Sequence, residues 1–368
     1  MRQGASLHLK SINYINMKKI LAIGLSMICL AMSAQTSYNA HEPGTNNYKP
    51  RELRLNIDAD LFLVNNEFTT LMKGYTLPGF RFTPTLSYAP AKNVKIEGGA
   101  YLLHYWGANE YPNSNYLSIP DYDPEHSSKG LHALPFLRAV ATAPCGVTFV
   151  LGNIYGAEKH RLLPQLYSPE LALTADPEAG LQILYNRPWA DFDLWVDWRN
   201  FIYNNSPYRE NFFVGLSSNF RYNSPSANVH FYSPLQALLE HRGGEIDTDA
   251  VPGVNTMINA AAGFGAQFNI NPKGLKYVRM EADFLASFQQ AGKAWPYDNG
   301  TAWYAHADAD YRGLEASLGY YRAHKFMPLL GMPLWGVASA KYPGMLLDDP
   351  QTLTLSLSYS YTFTPGFS

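Results

Sequence analysis

The stretch TLTLSLSYSYTF, Thr352 to Phe363, alternates without exception between apolar or aromatic residues and small polar ones. Because successive side chains of a β-strand point to opposite faces, a period of two predicts a strand with one apolar and one polar face. Two environments suit such a strand. In a soluble sandwich the apolar face packs on a core, and in a membrane barrel it contacts lipid while the polar face lines a lumen.

The composition of the chain favours the membrane environment. The 368 residues carry a formal net charge of -2, with 16% charged and 14% aromatic residues. This charge balance gives no indication of a nucleic-acid partner. The mean hydropathy of -0.21 is too low for a helical membrane protein. It is typical of a barrel, in which only half of each strand faces lipid.

The N-terminus has the pattern of a secretory signal. Residues 1–34 are predicted to be the signal peptide, with the true start at Met17, because two lysines precede the apolar run ILAIGLSMICLAMSA. That run is too short to span a bilayer as a helix, and a buried helix is the alternative. Cleavage leaves Cys145 alone, so no internal disulfide is expected. Residues 35–51 are predicted to form a short periplasmic tail and residues 52–368 the barrel.

Fourteen segments between Leu53 and Phe363 are predicted to be strands. The alternation is clear in LRLNIDADLFLV (53–64) and TAWYAHADADY (301–311), and short links rich in Pro, Gly and Asn alternate with long ones. Outer-membrane barrels have short periplasmic turns and long outer loops. The predicted fold is therefore an all-β transmembrane antiparallel barrel of about fourteen strands. A soluble sandwich or propeller is the alternative, but it rarely separates its links into two length classes.

These features together resemble Gram-negative outer-membrane β-barrels of the porin-like kind. The resemblance covers residues 53–363 and rests on the signal, the rhythm of strands and turns, and the aromatic end of the last strand. It implies a location in the outer membrane, with outer-membrane lipid as a partner. Tyr and Trp residues near strand ends fit interfacial girdles. The chain departs from the pattern at its end, since TPGFS follows Phe363.

Charged residues on the polar faces of the strands are predicted to line the lumen. Acids outnumber bases there, which predicts a mildly acidic lumen with a weak preference for cations. Alternatively, these charges pair across the wall and fill space. The predicted pore-lining residues are Arg54, Asp58, Asp60, Arg81, Lys95, Glu97, Asp193, Asp197, Arg199, Arg279, Glu281, Asp283, His306, Asp308 and Asp310.

Two long links are candidates for narrowing the lumen. Loop 106–130 is rich in Tyr, Asn and Asp, residues that bind sugars and that are also ordinary in loops. Loop 324–351 is unusually apolar, and a large exposed apolar patch is rare on soluble surfaces. It is predicted to fold into the barrel mouth, to bind a partner or to contact an apolar solute. The plug or binding residues are Phe326, Met327, Leu330, Met332 and Trp335.

No catalytic residue is predicted, although one strand carries an acid/base constellation. His306, Asp308 and Asp310 share one face, so Asp308 is placed to orient His306. No G-x-S-x-G motif is present, and a barrel lipase or protease stays an alternative. No metal site and no cofactor are predicted, because a single strand supplies too few converging ligands.

The sequence thus predicts an outer-membrane channel or transporter that is not an enzyme. It would pass small solutes, of unknown identity, through a narrow lumen, and an outer-membrane partner protein is possible. The alternative is a surface barrel with a closed lumen, whose loops bind a glycan or a partner.

Overall fold

A computed structural model describes residues 5–8, 49–68, 71–72, 74–106, 130–202, 209–244 and 253–361. Most of the predicted signal segment and tail, most of loop 106–130, and the C-terminal residues that include Phe363 lie outside the described residues. Within them the chain forms one antiparallel sheet, in which each strand pairs with its neighbours in sequence. The strands are β1 (Ala5–His8), β2 (Leu53–Asn66), β3 (Tyr75–Ala91), β4 (Val94–Tyr105), β5 (His132–Thr142), β6 (Val147–Asn153), β7 (Ala179–Arg187), β8 (Ala190–Asn200), β9 (Asn211–Arg221), β10 (Val229–Arg242), β11 (Asn255–Asn269), β12 (Leu275–Ala291), β13 (Asn299–Tyr311), β14 (Leu314–His324) and β15 (Gln351–Tyr359).

The fourteen strands β2 to β15 confirm the predicted barrel fold, and the short β1 pairs with the edge of β2. The described strands β1 and β15 form the two edges of the sheet. Short and long links alternate as predicted. The β13–β14 turn is tight because Arg312 and Gly313 both have positive φ, 54° and 87°, as a two-residue hairpin turn requires. Among the described residues, no helix has the length and apolarity needed to cross a membrane.

The apolar faces of the strands point outward. Leu353, Leu355 and Leu357 on β15 are 74%, 72% and 55% exposed. Large exposed apolar side chains recur on most other strands, and Trp189, Trp198 and Trp303 are exposed among them. A soluble protein rarely exposes so large an apolar surface. These exposed apolar side chains therefore fit a lipid-facing surface, with aromatic residues near its margins.

Two long links turn into the barrel and pack against its inner wall. We call residues 154–178 the first inner segment and residues 325–350 the second. They contact each other where Ser168 N donates to Leu330 O at 2.7 Å. Each contains one turn of 3-10 helix, Ala157–His160 and Pro333–Trp335, and the first also contains the short α-helix Leu171–Thr174.

Apolar side chains of both inner segments form the core of the molecule. Phe326, Met332 and Trp335 are buried, and Met327 and Leu330 are half-buried. The cluster around them joins both segments to strands β11 to β14. Its buried members are Leu71, Met72, Leu163, Leu166, Ala261, Leu285, Ala302, Tyr304, Tyr321, Ala323, Phe326, Met332, Trp335 and Val337. The apolar sequence of the second inner segment is thus accounted for by burial inside the barrel.

Candidate active site

The wall of the barrel is interrupted between β5 and β7. β6 has 7 residues and β7 has 9, whereas β3 and β12 have 17 each. A tilted strand needs roughly 9–11 residues to cross the hydrocarbon core, so β6 ends before it reaches the outer side. β5 pairs with β6 only between Arg138 and Thr142. On the side of β5 that faces β6, residues from His132 to Leu137 have no ladder partner among the described residues. We call this gap the outer notch.

A glycine directs the chain into the barrel at the outer notch. Gly152 has φ +94°, and a Cβ there would lie 2.4 Å from the carbonyl oxygen of Leu137. Only glycine accepts this conformation and this close approach without strain. The chain therefore leaves the wall after Asn153, and the first inner segment begins.

A histidine–carboxylate pair occupies the outer notch. His132 Nε2 lies 2.7 Å from Oδ1 of Asp176, which comes from the end of the first inner segment. The two side chains are 16% and 22% exposed, so the pair is largely buried but still accessible from outside. A carboxylate on one ring nitrogen orients the imidazole and leaves Nδ1 as the nitrogen that can exchange a proton. The pair has the form of an oriented general base.

Asp176 also lines a cavity inside the barrel. This cavity has a volume of about 640 Å³ and lies between the inner faces of β2 to β5 and the first inner segment. Both signs of charge line its wall: the bases are Arg81, Arg138 and Lys159, and the acids are Asp58, Glu97, Glu158, Asp176 and Glu178. Arg81 forms an ion pair with Asp60. A concave site with converging polar groups is where a ligand is most often bound.

A second histidine fastens the first inner segment to the wall. His160 is fully buried, and its Nδ1 and Nε2 lie 2.7 Å from Asp193 Oδ2 and Glu178 Oε2. Its ring stacks on Trp195, with centroids 3.5 Å apart. Glu178 also accepts a hydrogen bond from Tyr167. With both nitrogens occupied, His160 acts as a structural cation rather than as a base.

Burial and neighbouring charges shift the pKa values of His160 and Glu178 in opposite directions. Burial alone disfavours the imidazolium, but the neighbouring charges of Glu178 and Asp193 outweigh it and raise the pKa of His160 to about 10. Burial would likewise raise the pKa of Glu178, but the imidazolium of His160 lowers it to about 2. His160 and Glu178 are therefore both charged at neutral pH.

Most of the predicted pore-lining residues lie inside the barrel but in ion pairs. The buried ones are Asp60, Lys95, Glu97, Asp193, Asp197, Arg279, Glu281, Asp283, His306 and Asp310. Arg54, Arg81, Arg199 and Asp308 are half-buried and Asp58 is exposed. Examples are Lys95–Glu97 at 3.0 Å and Arg279–Asp308 at 2.9 Å. This arrangement corresponds to the alternative in which the charges pair with one another.

The constellation on β13 is divided by the structure. His306 Nδ1 lies 3.1 Å from Asp308 Oδ2, but Asp310 accepts a hydrogen bond from Lys276 Nζ at 2.8 Å. His306 instead meets Glu281 and Asp283 of β12. The prediction that no metal site is present considered ligands on β13 alone and did not consider β12.

The sequence interpretation missed the outer notch and its histidine–carboxylate pair. His132 and Asp176 are 44 residues apart, and no local pattern joins them. Two signals were present in the sequence. The apolar stretch Val147–Asn153 is too short to span, and HRLLPQLY (160–167) is too apolar for an outer loop in water.

Comparison with known proteins places the chain among outer-membrane proteins. The family model for lipid A 3'-O-deacylase-type proteins matches residues 45–368. Among solved structures, the outer-membrane expressed OmpT of Vibrio cholerae is 10% identical, with a TM-score of 0.39, and 85% of this chain and 99% of that chain are covered. A variant of OccD1 (OprD) is also 10% identical, with a TM-score of 0.34, and 78% and 80% are covered. No curated protein matches the chain.

The family match confirms the outer-membrane location and corrects one prediction. The prediction that the protein is not an enzyme was wrong, because the family model that overturns it is named for a deacylation reaction. The sequence interpretation failed here because it looked for a serine motif and for residues close together on one strand. Since the match covers most of its length, the chain belongs to the lipid A 3'-O-deacylase-type family.

Proposed function

We propose that this protein hydrolyses an ester-linked acyl chain of lipid A within the outer membrane. One observation carries the proposal: the His132–Asp176 pair lies in the outer notch, where the wall lacks a strand. The margin of the notch is apolar, with Leu131 and Leu137 53% and 65% exposed. A lipid of the outer leaflet can therefore approach the pair from the side without leaving the membrane.

The chemistry follows from the residues present. No serine is found among the described residues that line the cavity, so water is the proposed nucleophile. His132 Nδ1 takes a proton as the water oxygen attacks the ester carbonyl carbon. The carbon–oxygen bond to the sugar then breaks, and the same proton passes to the departing sugar oxygen. The products are a fatty acid and a free sugar hydroxyl.

The cavity supplies a complement to the polar part of the substrate. Arg81 and His132 lie in one row of the sheet, because both pair in register with Leu103 of β4. The guanidinium of Arg81 lines the cavity and is 17% exposed. We infer that it offers positive charge to a phosphate of lipid A or to the oxyanion that forms during attack.

The test is release of fatty acid from lipid A in mixed micelles, followed by mass spectrometry. The His132→Ala variant should lower the rate by about 10²- to 10⁴-fold, as expected for loss of a general base. Asp176→Asn should lower the rate less, because the histidine stays in place. The matched control is His324→Ala, which removes an exposed histidine that also pairs with a carboxylate, Asp349 at 2.6 Å.

Two results would count against this assignment. If folded wild-type protein releases no fatty acid from lipid A, the proposed reaction is not the one this barrel performs. If His132→Ala and His324→Ala release fatty acid at the same rate, the reaction proceeds elsewhere on the molecule.

A further inference from the structure

A separate cluster of titratable side chains lies on β12 and β13. Glu281, Asp283 and His306 each present one atom of a metal-ligating type, and these atoms lie within 4.8 Å of one another. Glu281 faces His306 directly in the register, and Asp283 follows two positions later on the same face of β12. All three are buried, with exposed fractions of 4%, 1% and 8%. β13 is far from β5 in the strand order, so this cluster is not part of the outer notch.

The cluster concentrates polar atoms that lack hydrogen bonds. Within the described part of the chain, no hydrogen bond reaches either carboxylate oxygen of Asp283, Oε1 of Glu281 or Nε2 of His306. A buried polar atom without a partner costs about 1–3 kcal/mol, and more when it is charged. Because one atom from each of the three residues lies within 4.8 Å of the other two, a single bound ligand would satisfy them together.

The neighbouring strand leaves room for the carboxylates. Gly263 of β11 pairs with Asp283, and a Cβ at Gly263 would lie 2.0 Å from Asp283 Oδ1. Gly265 pairs with Glu281, and a Cβ there would collide with the ring of Tyr232. Tyr232 crosses that space to donate a hydrogen bond to Glu281 Oε2 at 2.6 Å. Two glycines thus admit the carboxylate and the tyrosine that orient the cluster.

The imidazole is oriented as in a metal site. With Nδ1 protonated, His306 donates to Asp308 Oδ2 at 3.1 Å, and Asp308 is held in turn by Arg279 at 2.9 Å. Nε2 then carries a lone pair toward Glu281 Oε1, 3.6 Å away. A histidine ligand commonly donates its other ring nitrogen to a carboxylate in this way. The 3.6 Å separation is close to the roughly 3.3 Å between two ligands on a tetrahedral Zn²⁺, from bond lengths of about 2.0–2.1 Å.

The local charge also favours a cation. Three carboxylates lie around His306, those of Glu281, Asp283 and Asp308, and one guanidinium, that of Arg279, pairs with Asp308. With a neutral His306, a divalent ion would balance this set. The neighbouring Tyr232 and Tyr304 add no charge when protonated. Without a cation, two close carboxylates must share a proton instead, and this is the competing explanation.

We propose that Glu281, Asp283 and His306 bind one divalent metal ion of the Zn²⁺ or Mn²⁺ class. The ligands are Nε2 of His306 and one oxygen from each carboxylate, and a mixed nitrogen and oxygen set suits these ions. The proposal does not rest on the deacylase activity, because its residues and its test are separate from those of His132.

The test measures metal content and binding, not activity. Folded protein in detergent is treated with EDTA, dialysed, and titrated separately with ZnCl₂ and MnCl₂. We expect one ion per chain by plasma mass spectrometry and a thermal midpoint that rises with the bound ion. Asp283→Asn and His306→Gln should abolish stoichiometric binding, and Asp308→Asn should weaken it by about 10- to 100-fold. The matched control is Asp310→Asn on the same strand, which should bind as the wild type does.

A spectroscopic measurement on wild-type protein keeps the site testable even if the variants fail to fold. Wild-type protein loaded with Mn²⁺ should give an electron spin echo signal from one coordinated histidine nitrogen. Absence of that signal, or equal binding by Asp283→Asn, His306→Gln and wild type, overturns the site. Failure of wild-type protein to bind either ion also overturns the proposed metal site. In that case the two close carboxylates share a proton instead.

Discussion

Single buried charges determine how the first inner segment is held. His160 has no exposed surface, yet it carries a positive charge, because Glu178 and Asp193 lie 2.7 Å from its two nitrogens. A buried charge is tolerated only when such partners replace its water. The same segment is joined to β2 and β3 through Glu170, which accepts hydrogen bonds from Asn66 Nδ2 at 2.5 Å and from Tyr75. Asp176 follows six residues later, so its position at the outer notch depends on these anchors.

Removal of His160 should therefore destabilise the barrel in a manner that depends on pH. His160→Ala leaves Glu178 and Asp193 buried and without their cation, which should cost about 3–5 kcal/mol of unfolding free energy. Because the pKa of His160 is raised to about 10 in the folded state, its contribution is fully present below about pH 6.5. The contribution is lost as the pH rises through about 10.

Urea titrations in detergent between pH 6 and pH 10 measure this effect. The difference in unfolding free energy between wild type and His160→Ala should be largest at pH 6 and should shrink towards pH 10. The exposed His324→Ala serves as the control and should stay within about 0.5 kcal/mol of wild type. A difference that is constant over this range would mean that His160 is not charged when folded.

The length of a strand decides where the chain leaves the wall. β6 is too short to span, Gly152 turns the chain inward, and the first inner segment occupies the lumen instead of the outer surface. The second inner segment does the same after β14, where Val337 N donates to Phe326 O at 3.1 Å and closes its first loop. The two links that enter the barrel are thus the ones whose apolar residues would be costly in water.

Truncation of a buried side chain in the second inner segment tests whether that segment is part of the core. Phe326 has no exposed surface, so Phe326→Ala should lower the unfolding free energy by about 3–5 kcal/mol through lost burial and a new cavity. Tyr342→Ala on the same segment is the control, since Tyr342 is 49% exposed. Equal unfolding midpoints for the two variants would show that the segment does not pack inside the barrel in solution.

The packing inside the barrel argues against the channel predicted from the sequence. Barrels of about eight strands are filled by side chains, and those of 16–18 strands leave an aqueous channel. A barrel of fourteen strands, β2 to β15, lies between these sizes, so the strand number alone does not decide between a filled interior and a channel. The two inner segments and the ion pairs of the wall occupy the interior, and the remaining cavity of about 640 Å³ is bordered by the first inner segment. This packing favours a binding cavity over a continuous pore.

Planar-bilayer recording tests that conclusion. Folded wild-type protein should insert without producing a steady ohmic conductance, because the two inner segments pack inside the described part of the barrel. An open porin recorded in the same bilayers is the control for insertion and detection. A stable unitary conductance from the wild-type barrel would contradict the filled lumen and would support the channel predicted from the sequence.

Patterns within a few residues were sufficient to predict the wall. Leu353, Leu355 and Leu357 alternate with Thr354 and Ser356, and the period of two fixes which face each side chain takes, whatever the rest of the chain does. The alternation of link lengths likewise predicted the strand number and the orientation in the membrane, because a strand must return the chain across the same bilayer each time.

The site could not be predicted in this way, because its residues meet only when the strands have paired and the inner segments have packed against them. His132 meets Asp176 after the first inner segment has turned inward, and Asp283 meets His306 because β12 and β13 pair in one particular register. Lipid selects side chains locally, strand by strand, so a lipid-facing barrel follows from the order of the residues. Which polar residues share the interior depends on register and on how two long links pack against the wall, and these are properties of the folded chain.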